Sequence, residues 1–196
     1  MRTAFLLLVV AASSLALCIC QIADVQQRCT CPHTQSLIEA VKQGQQQEVP
    51  LLLARQANVN SADQFLCSPL LWAAIRSHTS ICRVLLDNQA DINACDIAKQ
   101  TPLHHAAING HTPTCQLLID NQADIDARGG YNQTPLHNAA SQGNVATCQL
   151  LIDNQADIDA CDQFNQTSLH FAAINRHTST CQLLIDCRAE CNTRTV

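Results

Sequence analysis

A fixed step of 33 residues constrains this chain more than any other feature. Pro69, Pro102 and Pro135 stand 33 apart, with Ser168 in the next slot. Cys82, Cys115, Cys148 and Cys181 keep the step, as do Leu37, Leu70, Leu103, Leu136 and Leu169. A period between about 20 and 50 residues specifies a linear array in which each unit stacks on its neighbours, rather than one core wound from distant segments. Five units fit after residue 33, at about 34–62, 63–95, 96–128, 129–161 and 162–194.

The clearest unit runs from Gln100 to Asp126. Thr101 suits a helix N-cap and Pro102 the first helical position, where a missing N–H costs nothing. Leu103, Ala106 and Ala107 then share one face, and the small alanines let a second helix approach closely. Gly110 ends the first helix, Thr112-Pro113 starts another, and Cys115, Leu118 and Ile119 form its apolar stripe. Such a helix pair cannot bury its apolar face alone. The expected fold is therefore an all-α repeat solenoid of stacked helix-turn-helix units.

Thr101-Pro102-Leu103-His104, Ala106-Ala107, Gly110-His111, Leu117-Leu118 and Ala123-Asp124 resemble an ankyrin repeat. So do Thr134-Pro135-Leu136-His137, Ala139-Ala140, Gly143, Leu150-Leu151 and Ala156-Asp157. Ser68-Pro69-Leu70-Leu71 and Thr167-Ser168-Leu169-His170 are worn versions, and the unit at 34–62 is the most divergent. The resemblance implies short β-hairpin fingers near 60–67, 93–100, 126–133 and 159–166, set across the helices. The glycine that such repeats carry after the second helix is replaced by Gln56, Gln89, Gln122, Gln155 and Arg188. Either those residues take a left-handed conformation at a cost of order 1 kcal/mol, or the helices end differently.

The flanks differ from the array. Residues 1–20 combine Arg2 with the uncharged run AFLLLVVAASSLALCIC, which reads as a secretory signal peptide cut after Cys18 or Cys20. The alternative is an uncleaved anchor with the array facing the cytosol, for which the run is short. Residues 21–33 form a polar leader with Cys29, Cys31 and His33, too few ligands for a zinc site. Pro50 falls early in the second helix of the first unit and should weaken it. At the other end, Leu183, Leu184 and Ile185 repeat the inner-face pattern with no sixth unit to cover them, which suggests fraying, weak self-association, or closure by Cys187 and Cys191.

Thirteen cysteines call for sorting. The four at the 33-residue step read as small buried apolar residues, because packed helices lie ~8–10 Å apart, beyond the ~7 Å reach of a disulfide between α-carbons. Cys67 and Cys95 fall on facing strands of successive fingers and make a candidate disulfide. His104, His137 and His170, one per repeat, stand too far apart to share a metal ion and are expected to brace neighbouring repeats. No metal or other cofactor is expected, and the aspartates of the connectors lack the glycine and glutamate of a calcium loop. Asn132 and Asn165 open Asn-x-Thr sequons and are candidate N-glycosylation sites, although each also suits a turn that needs positive φ. Glycans there would push binding toward the first three repeats.

The chain carries no phosphate loop, dinucleotide fingerprint, HExxH motif or GxSxG elbow, so an enzyme is not expected. A formal net charge of −5 argues against general affinity for nucleic acid or anionic membrane. The family resemblance implies a protein-binding scaffold whose fingers and first helices line a concave groove. Aromatic residues make up 3% of the chain, yet several occupy slots outside the scaffold motif. Trp72, Ile75, His105, Ile108 and Tyr131 are the expected contact centre. A secreted effector acting on a target cell, or a self-assembling structural protein, are the competing expectations.

Overall fold

The computed structural model describes residues 32–193, with side chains from 36–188. The signal-peptide assignment of 1–20 and most of the leader lie outside the described residues. Ten α-helices follow one another in five pairs among the described residues. They are α1 (Pro32–Lys42) with α2 (Glu48–Ala54), α3 (Pro69–Ile75) with α4 (Thr79–Asp87), α5 (Pro102–Ile108) with α6 (Thr112–Asp120), α7 (Pro135–Ser141) with α8 (Val145–Asp153), and α9 (Ser168–Ile174) with α10 (Thr178–Thr193). First helices pack on first helices and second on second, so each pair contacts only its neighbours.

The first helices start where the sequence provides caps. Thr101, Thr134 and Thr167 precede them in extended backbone, each forming a reciprocal capping box with the histidine three residues on. Ser68 caps α3 by accepting from the Leu71 N–H at 3.3 Å, without the histidine half of the box. The alanine pairs 73–74, 106–107 and 139–140 are fully buried, which lets the two helices of a unit close to a short distance around Leu70, Leu103 and Leu136. Cys82, Cys115 and Cys148 fill the second-helix side of the same core with no exposure.

The helix ends resolve the glycine substitution. Gln56, Gln89, Gln122 and Gln155 all take positive φ, between 63° and 70°. The second helices of the first four units therefore end in the left-handed turn despite lacking glycine. The fifth does not: α10 runs for 16 residues through Arg188, whereas α4, α6 and α8 have nine each. Cys187 and Cys191 lie on this continuing helix rather than at a final turn. Pro50 leaves α2 with seven residues, and no strand is present among the described residues. The fingers are tight turns, each closed by two or three backbone hydrogen bonds.

Repeats are also stitched by side chains. Thr79 Oγ1 meets Thr114 Oγ1 at 2.8 Å and Thr112 Oγ1 meets Thr147 Oγ1 at 2.9 Å. In the connectors, the side chains of Asn60, Asn93 and Asp126 accept from the N–H groups of Asp91, Asp124 and Asp157, at 2.7, 3.1 and 3.0 Å. Two amide oxygens and one carboxylate of the connectors thus serve the stack. His111 and His177 reach back to the carbonyls of Ile75 and Ser141.

Candidate functional site

The fingers are built from an aspartate at their base. Asp63 Oδ1 accepts from the Phe65 and Cys67 N–H groups at 2.9 and 3.1 Å. Asp96 does the same for Ala98 and Gln100, at 2.8 and 2.9 Å, and Asp162 for Phe164 and Gln166, at 2.8 and 2.9 Å. One carboxylate oxygen therefore ties each turn together, as an Asx motif does. Leu66, Lys99 and Asn165 take the positive φ that the turn demands. In the third finger Gly129 replaces the aspartate, and Arg128 Nη1 instead donates to the Asn132 carbonyl at 3.1 Å and to the Cys161 carbonyl of the next finger at 2.9 Å.

Successive fingers lie edge to edge. The Ile97 N–H donates to the Phe65 carbonyl at 3.2 Å and the Gln163 N–H to the Tyr131 carbonyl at 3.0 Å. At their tips Phe65, Ile97, Tyr131 and Phe164 are 49%, 65%, 66% and 66% exposed. Large apolar side chains left in water in a row are the kind of surface at which interaction sites occur. The Tyr131 and Phe164 rings stand 6.3 Å apart. Between the last three fingers opens a cleft of about 720 Å³, bordered by Ile97, Lys99, Arg128, Tyr131, Asn132 and Gln163. Lys99 and Arg128, which border this cleft, were not among the contact residues expected from the sequence.

The expected contact residues of the first helices divide. Trp72 is half-buried, and its indole N–H donates to Asp63 Oδ2 at 2.9 Å. Lys42 Nζ sits 3.5 Å from the same oxygen and 4.1 Å above the Trp72 ring. Burial raises the Asp63 pKa, but the Phe65 N–H, the Trp72 indole, the Cys67 N–H and Lys42 outweigh it and hold it below the ordinary value. His105 repeats the pattern one repeat on, with Nε2 at 2.9 Å from Asp96 Oδ2. Both side chains are thus bound to the base of their own finger, nine residues earlier. Ile75 and Ile108 are half-buried beside them, and Tyr131 stands alone of the five at a fingertip. The structure brings the first-helix four along one wall and leaves Tyr131 on the adjoining row of tips.

The repeated histidines act within the scaffold. His104 Nδ1 lies 3.2 Å from the Thr101 backbone nitrogen and 2.8 Å from its hydroxyl, while Nε2 lies 3.0 Å from the Gln133 carbonyl of the next repeat. An amide N–H can only donate, so Nδ1 accepts and the ring proton is on Nε2. Burial pushes the His104 pKa down to about 4, against the opposing pull of the Gln133 carbonyl. His137 has the same partners one repeat on, and burial lowers its pKa too. No cluster of three or more His, Cys, Asp or Glu side chains is arranged to hold a metal ion among the described residues.

Cys67 and Cys95 carry free thiols, the first buried and the second exposed. Burial pushes the Cys67 thiol up to about 11, and the Cys82, Cys115 and Cys148 thiols up to about 12. Asn132 and Asn165 are exposed on the third and fourth fingers, with φ of 65° and 57°.

Comparison with known proteins gives one family. A family model described as ankyrin repeats (3 copies) matches residues 37–129 and 126–195. No curated protein matches the chain.

Proposed function

Because the chain belongs to the ankyrin-repeat family, whose repeats serve in general as protein-binding modules, we propose that it is a secreted, non-catalytic scaffold that captures a partner protein on its finger side. The row of exposed Phe65, Ile97, Tyr131 and Phe164 tips carries this reading. Trp72, Ile75, His105 and Ile108 form the adjoining wall, two of them held rigid by Asp63 and Asp96. Rigid aromatic anchors lose little entropy on binding. Secretion rests on the signal-like residues 1–20, and no helix among the described residues is long and apolar enough to cross a membrane.

A photoreactive amino acid placed at position 131, against a control at exposed Arg83 on the second-helix side, tests the surface. Adducts formed at 131 and absent at 83 are expected in the medium of secreting eukaryotic cells. Equal adduct patterns from both positions would refute the finger-side assignment. The mass of the secreted chain reads signal cleavage and glycan at Asn132 or Asn165 in the same sample.

We also propose that an oxidising compartment links Cys67 to Cys95. The Ile97 N–H to Phe65 carbonyl bond joins the two fingers that carry these residues and supports the pairing. The exposed Cys95 thiolate attacks oxidised glutathione first, forming a mixed disulfide and releasing one glutathione thiolate. Cys67 then displaces the second and closes the bridge. A cross-linked peptide pair in the non-reduced digest is the expected readout, and two separate alkylated peptides would exclude the bridge. Exposed Ile174 and Ile185 at the open end of the stack support a second reading, weak self-association, for which Ile185→Lys should abolish any dimer seen in sedimentation.

A further inference from the structure

Backbone hydrogen bonds zip the fingers together at two of their three junctions. The Ile97 N–H donates to the Phe65 carbonyl and the Gln163 N–H to the Tyr131 carbonyl, each pair 32 residues apart. The same step relates Gly130 to Ala98, yet that bond is not made. Instead the Ala98 carbonyl stands against the Gly130 α-carbon, where an added Cβ would lie 2.8 Å from it. The cleft of about 720 Å³ opens at this unzipped junction, and both residues border it.

The border of the cleft inverts the sign of the chain. Formal net charge is −5, but the cleft is edged by Lys99 and Arg128 and by no Asp or Glu. Lys99 is exposed and joins none of the ion pairs or side-chain hydrogen bonds among the described residues. Arg128 holds the Asn132 and Cys161 carbonyls through Nη1 alone, so its Nε and Nη2 donors are unused. The carboxylates of the flanking segments are engaged elsewhere. Asp96 ties its own turn with Oδ1 and meets His105 with Oδ2, Asp126 accepts from the Asp157 N–H, and Asp162 is buried in its own turn. A cleft lined by one sign of charge concentrates the opposite sign within it.

We infer that this cleft receives an aspartate or glutamate side chain of the partner protein, its carboxylate between Lys99 and Arg128 and an adjacent apolar residue against Ile97 and Tyr131. The inference rests on the protein-binding reading and adds the chemistry of the anchor. The free Nε and Nη2 of a guanidinium present the parallel N–H pair that a carboxylate accepts side-on, and Lys99 adds a second charge from the neighbouring finger. A volume of about 720 Å³ is that of a ligand much larger than a free carboxylate or phosphate. The exposed apolar side chains of Ile97 and Tyr131 suit a peptide in that space. Asn132 borders the same cleft and opens a sequon, so a glycan there and an acidic segment exclude one another.

The test titrates N-acetyl-leucyl-glutamic acid α-amide into the unglycosylated secreted chain, with its glutaminyl counterpart as the neutral control and inorganic phosphate as the small anion, followed by amide NMR. Saturable shifts at Lys99, Gly130, Tyr131 and Gln163 are expected with the glutamate peptide and not with the control. Lys99→Gln removes a side chain that bonds nothing in the chain. It should weaken glutamate-peptide binding by about threefold to fivefold, the scale of one exposed ion pair, with the circular dichroism unchanged, and Lys99→Glu should weaken it further. Equal binding of both peptides, tighter binding of phosphate, no shifts, or indifference to both substitutions would overturn the anchor, as would a glycan on Asn132 of the secreted chain. Partner cross-linking at position 131 is read separately. Adducts without a glutamate preference reject the anchor alone, whereas a glutamate preference without adducts rejects the protein-binding reading.

Discussion

Acid should unfold this protein in a window set by a histidine, well above the range of ordinary carboxylates. His104 is fully buried, its Nδ1 accepts from the Thr101 N–H, and its pKa is lowered from 6.5 to about 4. The folded state holds that proton less readily than the unfolded chain. The stabilisation is therefore complete above pH 6.5, declines as pH falls below it, and is exhausted once pH passes about 4. At ~1.4 kcal/mol per pH unit, the separation corresponds to about 3 kcal/mol of unfolding free energy. The chain supplies its own control, because Leu71 fills the equivalent buried slot in the second repeat. His104→Leu removes the titrating group and leaves the Gln133 carbonyl and Thr101 N–H without their partner, lowering stability at pH 7 by roughly 1–3 kcal/mol. Urea unfolding followed by circular dichroism at half-unit steps from pH 7.5 to 4 gives both curves. The difference between wild type and variant should shrink by about 3 kcal/mol across the window; contributions from His137 and the carboxylates cancel in it. A difference that stays constant with pH would show that His104 does not titrate as its burial dictates.

Three further outcomes follow from the same geometry. Gln89→Gly and Gln122→Gly, at φ of 65° and 67°, should each raise stability by about 0.5–1 kcal/mol, the left-handed penalty less the entropy of the freer unfolded chain; a lower urea midpoint in the double variant would refute this. Gly143→Ala should cost about 2 kcal/mol or more, since φ is 71° and the new carbon would lie 2.6 Å from His177 Nδ1, displacing the ring that reaches the Ser141 carbonyl; an unchanged midpoint would contradict it. Iodoacetamide at pH 8 should label Cys95 and Cys161 at once in the native, reduced protein and spare Cys82, Cys115 and Cys148, which are buried with pKa values of about 12; peptide mapping before and after denaturation reads the difference, and rapid native labelling of Cys115 would refute the core assignment.

The stack was legible because its determinants are local and repeated. A cap, a proline, a leucine and two alanines define a first helix without reference to anything distant, and the 33-residue step then says what each helix packs on. The bracing role of His104 and His137 was equally readable, since one histidine per repeat can reach only the next repeat. What stayed hidden depends on how a few atoms are shared. Nothing in the pattern tells that Asp63 serves Phe65, Cys67, Trp72 and Lys42 together, so Trp72 read as an open contact residue when it is also a pillar of its finger. The missing glycines left two outcomes open. The four glutamines took one, because Ala57, Ala90, Ala123 and Ala156 donate back to the last turn from the next residue, at 3.0 or 3.1 Å, while Arg188 took the other, inside a helix that continues to Thr193.

In a repeat array, departures from symmetry carry more information than the symmetry itself. The slots that recur are occupied by what the stack requires, and a substitution there is tolerated only if some neighbour satisfies the atoms it strands. The first-helix slot shows four solutions: an indole with a lysine in the second repeat, an imidazole in the third, an asparagine held by Gln100 in the fourth, and a phenylalanine in the fifth. Three are closed within the chain. The fourth repeat reaches closure by a different route, Asn138 donating to Gln100 Oε1 at 2.8 Å over a finger that has no aspartate. In the fifth repeat the phenylalanine cannot donate, and Asp162 Oδ2 is left without a partner, as are the buried Ser61, Ser168 and Thr180 hydroxyls elsewhere among the described residues.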